Sequence, residues 1–226
     1  MSEIFGFGGR KESGKTTAAN MLREIADPLD YEHIEFSDAI IGITQHWLTR
    51  LRDNPDASPT QHREWLADIL TESAVKIRGT GQHNTLPPEY IKKLHANSAP
   101  DIKKDKEEYR LLLEWLGATA ITMASPGIWG NIVAEKIQTA KTNETGLITI
   151  GGVRTAADSE TVRSPGGTLI RLHRQNDQPV ALTEKQLGMW PADYDIDNNG
   201  TLEDLKNEVT RIWEKSRTDE ESLEKP

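Results

Sequence analysis

The 226-residue sequence contains no cysteine, and this absence excludes two kinds of structure. Without thiols there is no disulfide framework and no thiolate metal site. The six histidines are scattered along the chain without the spacing of a metal-ligand set. Any chemistry must therefore come from a phosphate-binding loop, carboxylates and arginines.

Long apolar runs and a basic excess are also missing. No run approaches the ~18 apolar residues of a membrane span, and no signal peptide precedes the first apolar segment, so we expect a cytoplasmic protein without a membrane partner. The net charge is −9 and no long basic run occurs, which argues against a nucleic-acid partner. With 35% hydrophobic residues, the length fits one domain spanning residues 1–226.

The most specific pattern is a phosphate-binding loop. Gly9 to Thr16 read G-R-K-E-S-G-K-T, which fits G-x-x-x-x-G-K-[ST] and directly follows an apolar run. Backbone N–H groups and a helix N-terminus converge on phosphate in such a loop. Lys15 would reach the β- and γ-phosphates, and the Thr16 hydroxyl would bind Mg²⁺. The predicted ATP-binding residues here are Gly9, Glu12, Ser13, Gly14, Lys15, Thr16 and Thr17.

Strand and helix patterns alternate at both ends of the chain, with helices alone in the middle. The predicted parallel strands are Ile4 to Phe7, Ile34 to Phe36, Leu147 to Ile150, Thr168 to Leu172 and Tyr194 to Ile196. Helical spacing covers 38–52, 60–77, 108–123 and the stretch after Thr201, where T-x-x-D predicts a capped start; 80–105 is predicted as loop, and residues beyond Glu214 are expected to fray. These patterns predict an α/β fold, a doubly wound parallel sheet of about five strands with a helical insertion at about 40–125.

A phosphate-binding loop does not by itself separate a kinase from other nucleotide-binding proteins. GTPases read guanine with an N-K-x-D segment, and this sequence has none. ATPases usually end a buried strand with an acid that holds Mg²⁺, but here the third predicted strand continues into Gly151 and Gly152. Both of these classes are therefore disfavoured.

Charged residues follow three of the predicted strands. Asp38 either orients a metal or a phosphate acceptor, or caps the helix behind it. Arg154 offers a fork of donors suited to a monophosphate, or forms a surface salt bridge with Asp158. Arg171 and Arg174 flank the fourth strand, and either one could act as an internal arginine finger.

Six further segments add to the loop. They are F-S-D-A-I at Phe36 to Ile40, L-G-A-T at Leu116 to Thr119, I-W at Ile128 and Trp129, G-V-R at Gly152 to Arg154, G-G-T-L-I-R-L-H-R at Gly166 to Arg174, and D-Y-D-I-D-N-N-G-T-L-E-D-L at Asp193 to Leu205. Together these pieces resemble the bacteriophage deoxynucleoside monophosphate kinases, relatives of the dephospho-coenzyme A and adenylate kinases. The resemblance covers roughly two-thirds of the chain and leaves 54–110 outside.

The resemblance implies a kinase fold whose loop binds ATP and whose helical insertion and strand ends bind the acceptor monophosphate. It assigns the acceptor to Lys11, Asp38, Thr119, Trp129 and Arg154, and a contact with the ATP base to Asn198 and Asn199. From the loop and the strand ends themselves, the predicted catalytic residues are Lys15, Asp38, Arg154 and Arg174. Trp129 would stack on a base or fill the core, and the two asparagines would contact a base or form a turn. Mg²⁺ is the implied cofactor.

Two positions depart from the family pattern. The family usually has an acid at the position of Gly152. The glycine of this chain therefore leaves the Mg²⁺ shell incomplete, or shifts the binding of Mg²⁺ to Asp38. The family often has an acid in place of Thr119, which bears on the sugar or base accepted. The sequence therefore predicts transfer of the γ-phosphoryl group of ATP to a (deoxy)nucleoside monophosphate. Dephospho-coenzyme A or another small molecule as acceptor, and a regulatory module without turnover, remain open.

The oligomeric state rests on one apolar patch. Ile43, Trp47 and Trp65 form either part of the core or the interface of a homodimer. One sequence does not separate these two possibilities.

Overall fold

The computed structural model describes residues 2–54, 56–72, 102–104, 108–110, 112–113, 116–117, 127–175 and 189–223. The chain divides into two compact units, each described by itself below. We call Met1–Phe36 with Val133–Pro226 the sheet unit, and Ser37–Ile132 the insertion unit.

The described elements follow one another in the order strand, helix, strand, then three helices, then strand, helix, two strands and a final helix. They are β1 (Glu3–Gly9), α1 (Lys15–Ala26), β2 (Tyr31–Glu35), α2 (Phe36–Arg52), α3 (Pro59–Glu72), α4 (Ile128–Thr142), β3 (Leu147–Val153), α5 (Ala156–Arg163), β4 (Thr168–His173), β5 (Tyr194–Asp197) and α6 (Leu202–Leu223). No helix in these ranges combines the length and the apolar character that crossing a bilayer needs.

The sheet unit contains one five-stranded sheet in the order β2-β3-β1-β4-β5, and every neighbouring pair is parallel. The chain leaves β1 toward one edge to form β2, and later crosses from β3 to β4 on the other side of β1. The predicted fold class, a doubly wound parallel sheet of five strands with helices, is confirmed. Because all strands are parallel, their carboxyl ends meet at one edge, where such sheets bind ligands.

Helices cover both faces of the sheet. Side chains alternate along β1, so Phe5 and Phe7 lie in a buried cluster with residues of α1 and α6. Gly6 faces the opposite side, where Val162 of α5 packs closely against it. Leu22 of α1 is fully buried in the first of these layers, and a side chain of this kind contributes about 1.5–3 kcal/mol by burial.

All five strands differ at one or both ends from their predicted ranges, and two of these differences bear on the candidate site. The second strand ends at Glu35, and Phe36 already begins α2. Asp38 therefore lies inside the first turn of α2, so the idea that it caps a helix starting at residue 39 is wrong. The third strand continues through both glycines to Val153, because Gly151 pairs with a strand on each side.

The last helix differs from its prediction at one end only. The predicted T-x-x-D cap is confirmed: the Thr201 N–H donates to Asp204 Oδ2 at 2.8 Å, and the Asp204 N–H donates to Thr201 Oγ1 at 3.2 Å. The helix then continues to Leu223, past the fraying expected after Glu214. Its apolar stripe packs on α1 and β5, so the burial of one face supports the charged C-terminal turns.

The described part of the insertion unit is mainly helical. Ile43 and Trp47 of α2 are buried, so they belong to the core of this unit. Trp65 of α3 is half-buried, with the Arg50 guanidinium 5.1 Å from its ring centroid. Residues 73–77 of the predicted helix 60–77, much of the helix 108–123, and the loop 80–105 except residues 102–104 lie outside the described residues. The homodimer remains a prediction.

Candidate active site

The phosphate-binding loop connects β1 to α1. Gly14 is the N-cap of α1 and adopts a left-handed conformation, with φ 98° and ψ 11°. No side chain caps this helix, so its first N–H groups stay available at a point where the helix dipole is positive. This arrangement favours an anion, as the sequence predicted for Gly9 to Thr16.

Lys15 is turned back across the loop. Its Nζ donates to the carbonyl oxygen of Gly9 at 2.9 Å and to that of Arg10, and lies 3.5 Å from Ser13 Oγ. These acceptors belong to the loop that would surround a phosphate group. A cation and uncapped N–H groups therefore lie at the same turn, which suits the β- and γ-phosphates of a nucleotide.

Asn198 braces this loop from the end of β5. Its Nδ2 donates to the Ser13 carbonyl oxygen at 2.9 Å, and the residue is buried. A Cβ on Gly14 would lie 2.3 Å from the same nitrogen, so the bond needs both the absent side chain and the positive φ at Gly14. The sequence did not reveal this role, because the two residues are far apart along the chain. A contact between Asn198 and a base remains a prediction.

Asn199 forms the turn that follows β5. Its Oδ1 accepts from the Gln175 N–H at 2.9 Å, and its own N–H donates to Asp197 Oδ1 at 3.2 Å. Its Nδ2 contacts the same carboxylate oxygen. These bonds are the turn chemistry that the sequence analysis left open as an alternative, and a base contact by Asn199 remains a prediction.

The remaining loop residues are accessible. Lys11, Glu12, Thr16 and Thr17 are exposed, and Glu12 adopts a φ of 63° in the turn. Thr16 lies in the first turn of α1 and presents a hydroxyl oxygen near the uncapped N–H groups. Oxygen ligands of this kind suit Mg²⁺.

Arg154 directly follows β3 and is exposed. Its backbone N–H donates to Asp158 Oδ2 at 3.0 Å, whereas its guanidinium forms no hydrogen bond or ion pair within the described ranges. Asp158 forms the capping box of α5 with Thr155. Burial raises the pKa of Asp158 above its ordinary value, although hydrogen bonds from the Arg154 and Thr155 N–H groups oppose this. The surface salt bridge considered for Arg154 is therefore not formed, although its positive charge also acts to lower the pKa of Asp158.

The two arginines at the C-terminal end of β4 differ in their partners. Arg171 uses its fork on Asp195, with Nε 2.7 Å from Oδ1 and one terminal nitrogen 3.0 Å from Oδ2. Its other terminal nitrogen donates to the Trp190 carbonyl oxygen at 3.0 Å. Arg174 lies just past the end of β4 and is exposed. Of the two candidates for an arginine finger, Arg174 is thus the one whose guanidinium forms no ion pair in the described part of the chain.

The candidates of the insertion unit have partners inside that unit. Asp38 pairs with Lys103, whose Nζ is 3.3 Å from Oδ2, and 28% of the Asp38 side chain is exposed. Trp129 is buried, and its Nε1 donates to the Gly117 carbonyl oxygen at 3.2 Å. This contact joins the L-G-A-T and I-W segments and is the behaviour of a packing residue, so stacking on a base remains a prediction. Thr119 lies outside the described residues.

One acid at the sheet edge was missed by the sequence analysis. Glu35 ends β2 and pairs in register with Gly151. A Cβ on Gly151 would lie 2.0 Å from Glu35 Oε1, and one on Gly152 would lie 3.1 Å from Oε2. The carboxylate therefore lies directly over the two glycines. No local signal in the sequence could have found it, because only the pairing of β2 with β3 brings Glu35 to the two glycines.

The sheet unit offers oxygen donors of the kind that Mg²⁺ binds. Among the residues described, no group of three or more His, Asp and Glu side chains forms a metal site by itself. Mg²⁺ in phosphoryl-transfer sites uses one or two protein oxygens together with substrate phosphates and waters. The Thr16 hydroxyl and the Glu35 carboxylate are hard oxygen donors that match this need.

No model of a known protein family matches the sequence, and no curated protein matches it. Among solved structures, the chain is similar to an unliganded sugar kinase from Janibacter sp. HTCC2649, with 16% identity and a TM-score of 0.44 over 93% of this chain and 94% of that one. It is also similar to shikimate kinase from Aquifex aeolicus, with 12% identity and a TM-score of 0.41 over 95% of this chain and 98% of that one. Dephospho-CoA kinase from Campylobacter jejuni is similar as well, with 12% identity and a TM-score of 0.42 over 95% of this chain and 97% of that one.

Those identities and TM-scores are too low to carry an argument about activity. The class of the protein follows from its own features: a parallel sheet in which a G-x-x-x-x-G-K-T loop connects the central strand to a helix with an uncapped N-terminus. These features define a phosphate-loop α/β protein.

Proposed function

We propose that the protein is a kinase that transfers the γ-phosphoryl group of ATP to a (deoxy)nucleoside monophosphate, with Mg²⁺ as cofactor. One observation carries the proposal: Lys15, Arg154 and Arg174 all follow the carboxyl ends of parallel strands in one sheet. Because these ends meet at a single edge, the site is suited to two phosphate groups rather than one.

The donor is assigned to the loop. The first N–H groups of α1 and the Lys15 ammonium neutralise the β- and γ-phosphates, and Asn198 holds the loop in shape. Mg²⁺, when bound, supplies further neutralisation of the donor phosphates. Since phosphoryl transfer needs positioning and charge stabilisation more than covalent help, a preorganised loop supplies much of what the reaction requires.

The acceptor monophosphate is assigned to the arginines. The planar guanidinium of Arg154 binds two phosphate oxygens side by side, and Arg174 stabilises charge on the group in transfer. An acceptor oxygen bonds to the γ-phosphorus while the bond to the β,γ-bridging oxygen breaks, which yields ADP and a nucleoside diphosphate. Lys11, Asp38, Thr119 and Trp129 are assigned to the acceptor from the family resemblance.

The test is a panel of acceptors. The protein is incubated with ATP, Mg²⁺ and each of the four deoxynucleoside monophosphates, AMP, GMP or dephospho-coenzyme A, and ADP and product are separated by chromatography. We expect one or a few nucleotides to be consumed one for one with ATP. A Lys15→Met protein prepared in parallel excludes a contaminating kinase.

Two results contradict the proposal in different ways. If dephospho-coenzyme A is the sole acceptor phosphorylated, the protein is still a kinase, but its acceptor is not a nucleoside monophosphate. If ATP binds but no acceptor is phosphorylated, the protein is a nucleotide-binding regulatory module and not a kinase.

A further inference from the structure

The edge of the sheet contains an acid in an unusual position. Glu35 on β2, Gly151 on β3 and Phe7 on β1 form one row across the sheet. Neighbouring strands are about 4.8 Å apart, so Glu35 is only about 10 Å along this row from Phe7. The phosphate-binding loop begins two residues beyond Phe7, at Gly9.

The two glycines make room for this carboxylate. Any side chain on Gly151 would occupy the place of Glu35 Oε1, which is 2.0 Å from an ideal Cβ. Gly152 adopts a φ of 79°, a conformation that favours glycine, and a Cβ there would lie 3.1 Å from Oε2. The missing acid at position 152 and the acid at position 35 are therefore two aspects of one arrangement.

A chain of hydrogen bonds orients the carboxylate. His33 Nε2 is 3.2 Å from Glu35 Oε1, and His33 Nδ1 is 2.8 Å from Thr149 Oγ1. Thr149 is fully buried, and its hydroxyl is 2.8 Å from the Tyr31 hydroxyl. A neutral His33 satisfies all three contacts at once: Tyr31 donates to Thr149, Thr149 donates to Nδ1, and Nε2 donates to Glu35.

This chain leaves one carboxylate oxygen available. Oε1 is used by His33, whereas Oε2 forms no hydrogen bond within the residues described, and 26% of the Glu35 side chain is exposed. Carboxylates that bind metals are themselves held by hydrogen bonds from neighbouring groups, as His33 holds Glu35 through Oε1.

We propose that Glu35 is the carboxylate that holds the metal–ATP complex at this site, in place of an acid at Gly152. The assignment rests on the proposed function for its reaction, but concerns metal binding as such. Thr16 and Glu35 then supply the protein oxygens, and His33 is a positioning residue. Asp38 is not needed for this duty.

The first experiment measures metal affinity rather than activity. Mn²⁺ binding to the ATP-saturated protein is followed by the electron paramagnetic resonance signal of free Mn²⁺, for wild type and for Glu35→Gln. Loss of an outer partner alone weakens metal binding about 10–100-fold, so loss of the acid itself is expected to weaken Mn²⁺ binding by at least about 10-fold. ATP affinity in EDTA should not fall, because the loop is unchanged.

Glu32→Gln is the matched control. Glu32 lies on the same strand, but its side chain points to the opposite face from Glu35, because successive residues alternate. The control removes the same charge from β2 and should leave Mn²⁺ affinity as in wild type. Thermal unfolding of both variants checks that each one folds.

A second variant moves the carboxylate without removing it. Gly151→Ala places a methyl group where Glu35 Oε1 now lies, and only the flexible end of that side chain must move. We expect weaker Mn²⁺ binding in this variant as well, with ATP affinity in EDTA preserved.

The outcome separates this inference from the proposed function. Mn²⁺ binding as tight in Glu35→Gln as in wild type would overturn the role of Glu35, even in an active kinase. If Mn²⁺ binds more weakly to Glu35→Gln while the wild-type protein phosphorylates no acceptor, the metal-binding role of Glu35 is supported and the proposed kinase activity is overturned.

Discussion

The two units organise their candidate residues by different means. In the sheet unit, Lys15, Arg154 and Arg174 follow strand ends, and backbone geometry brings them to one edge. In the insertion unit, Asp38 pairs with Lys103, and Trp129 donates to a backbone carbonyl. The candidates of the sheet unit are thus brought together by topology, whereas those of the insertion unit are held by individual side-chain contacts.

This difference indicates how each unit responds to mutation. A site built from backbone N–H groups tolerates many substitutions but is sensitive to changes at the residues that shape the loop. A site built from side chains changes its preference when one of them changes. We therefore expect variants of the phosphate-binding loop to change the affinity for ATP, and variants of the insertion unit to change the affinity for the acceptor.

Lys15→Met should give the largest effect. The variant removes the ammonium that lies among the loop carbonyls, and loss of one preorganised charge stabiliser typically lowers kcat by about 10²–10³-fold. Steady-state kinetics with saturating acceptor measure this loss. Lys206→Met, on the exposed side of α6, is the matched control and should keep wild-type rates. Equal losses in both variants would contradict the loop assignment.

Asn198→Ala should destabilise the loop from beneath. The substitution leaves the Ser13 carbonyl without its buried donor, which costs about 1–3 kcal/mol. Each kcal/mol lowers the melting temperature of a protein of this size by about 2–4 °C, which calorimetry detects. Asn207→Ala, at an exposed position of α6, should change stability by less than about 0.5 kcal/mol. The KM for ATP should also rise in Asn198→Ala alone.

Asp38→Asn tests the insertion unit. If its carboxylate serves the acceptor, the KM for the acceptor rises by about 10-fold, equivalent to about 1.4 kcal/mol, while the KM for ATP stays constant. Asp68→Asn on α3 is the control, because Asp68 is exposed and forms only a long ion pair, with 3.9 Å between Oδ2 and the Arg50 guanidinium. A rise in the KM for ATP instead would remove the functional distinction between the units.

Asp195→Asn should give the smallest effect and a characteristic pH dependence. Hydrogen bonds from Arg171 lower the pKa of Asp195 below the ordinary value of 3.8. Ionised Asp195 therefore stabilises the fold above that pH, and the contribution is lost as pH falls through the lowered pKa. The carboxylate is about half exposed, so the difference from wild type should stay below about 1 kcal/mol at neutral pH.

Urea unfolding of wild type and Asp195→Asn measures this difference. It should shrink as the pH falls below the ordinary value of 3.8 and through the lowered pKa, because the wild-type carboxyl then becomes protonated as well. A difference that stays constant across this range would show that Asp195 does not act through its charge.

The fold was accessible from the sequence because its signals are local. An apolar run such as Leu147 to Ile150 and a loop such as Gly9 to Thr16 each fit within a few residues. Strand ends were less predictable. Phe36 reads as the end of a strand by its side chain, but pairing stops at Glu35, and helix α2 begins at once.

Only about half of the candidate site could be predicted from the sequence. The role of the loop residues can be predicted from their spacing in the G-x-x-x-x-G-K-[ST] pattern. Glu35, in contrast, is separated from Gly151 by more than a hundred residues of sequence. Its carboxylate reaches the glycines because β2 and β3 are neighbours in the sheet, and no local pattern encodes that pairing. The same holds for the bond between Asn198 and Ser13.

The sequence by itself determined the phosphate-binding loop, the five strands and the capped start of α6, because turn chemistry and side-chain periodicity act over a few residues. Only the tertiary structure decided which acid lies at the sheet edge, which of Arg171 and Arg174 is bound by Asp195, and what supports the loop from beneath. These outcomes depend on strand order and register, which arise when distant segments pack together.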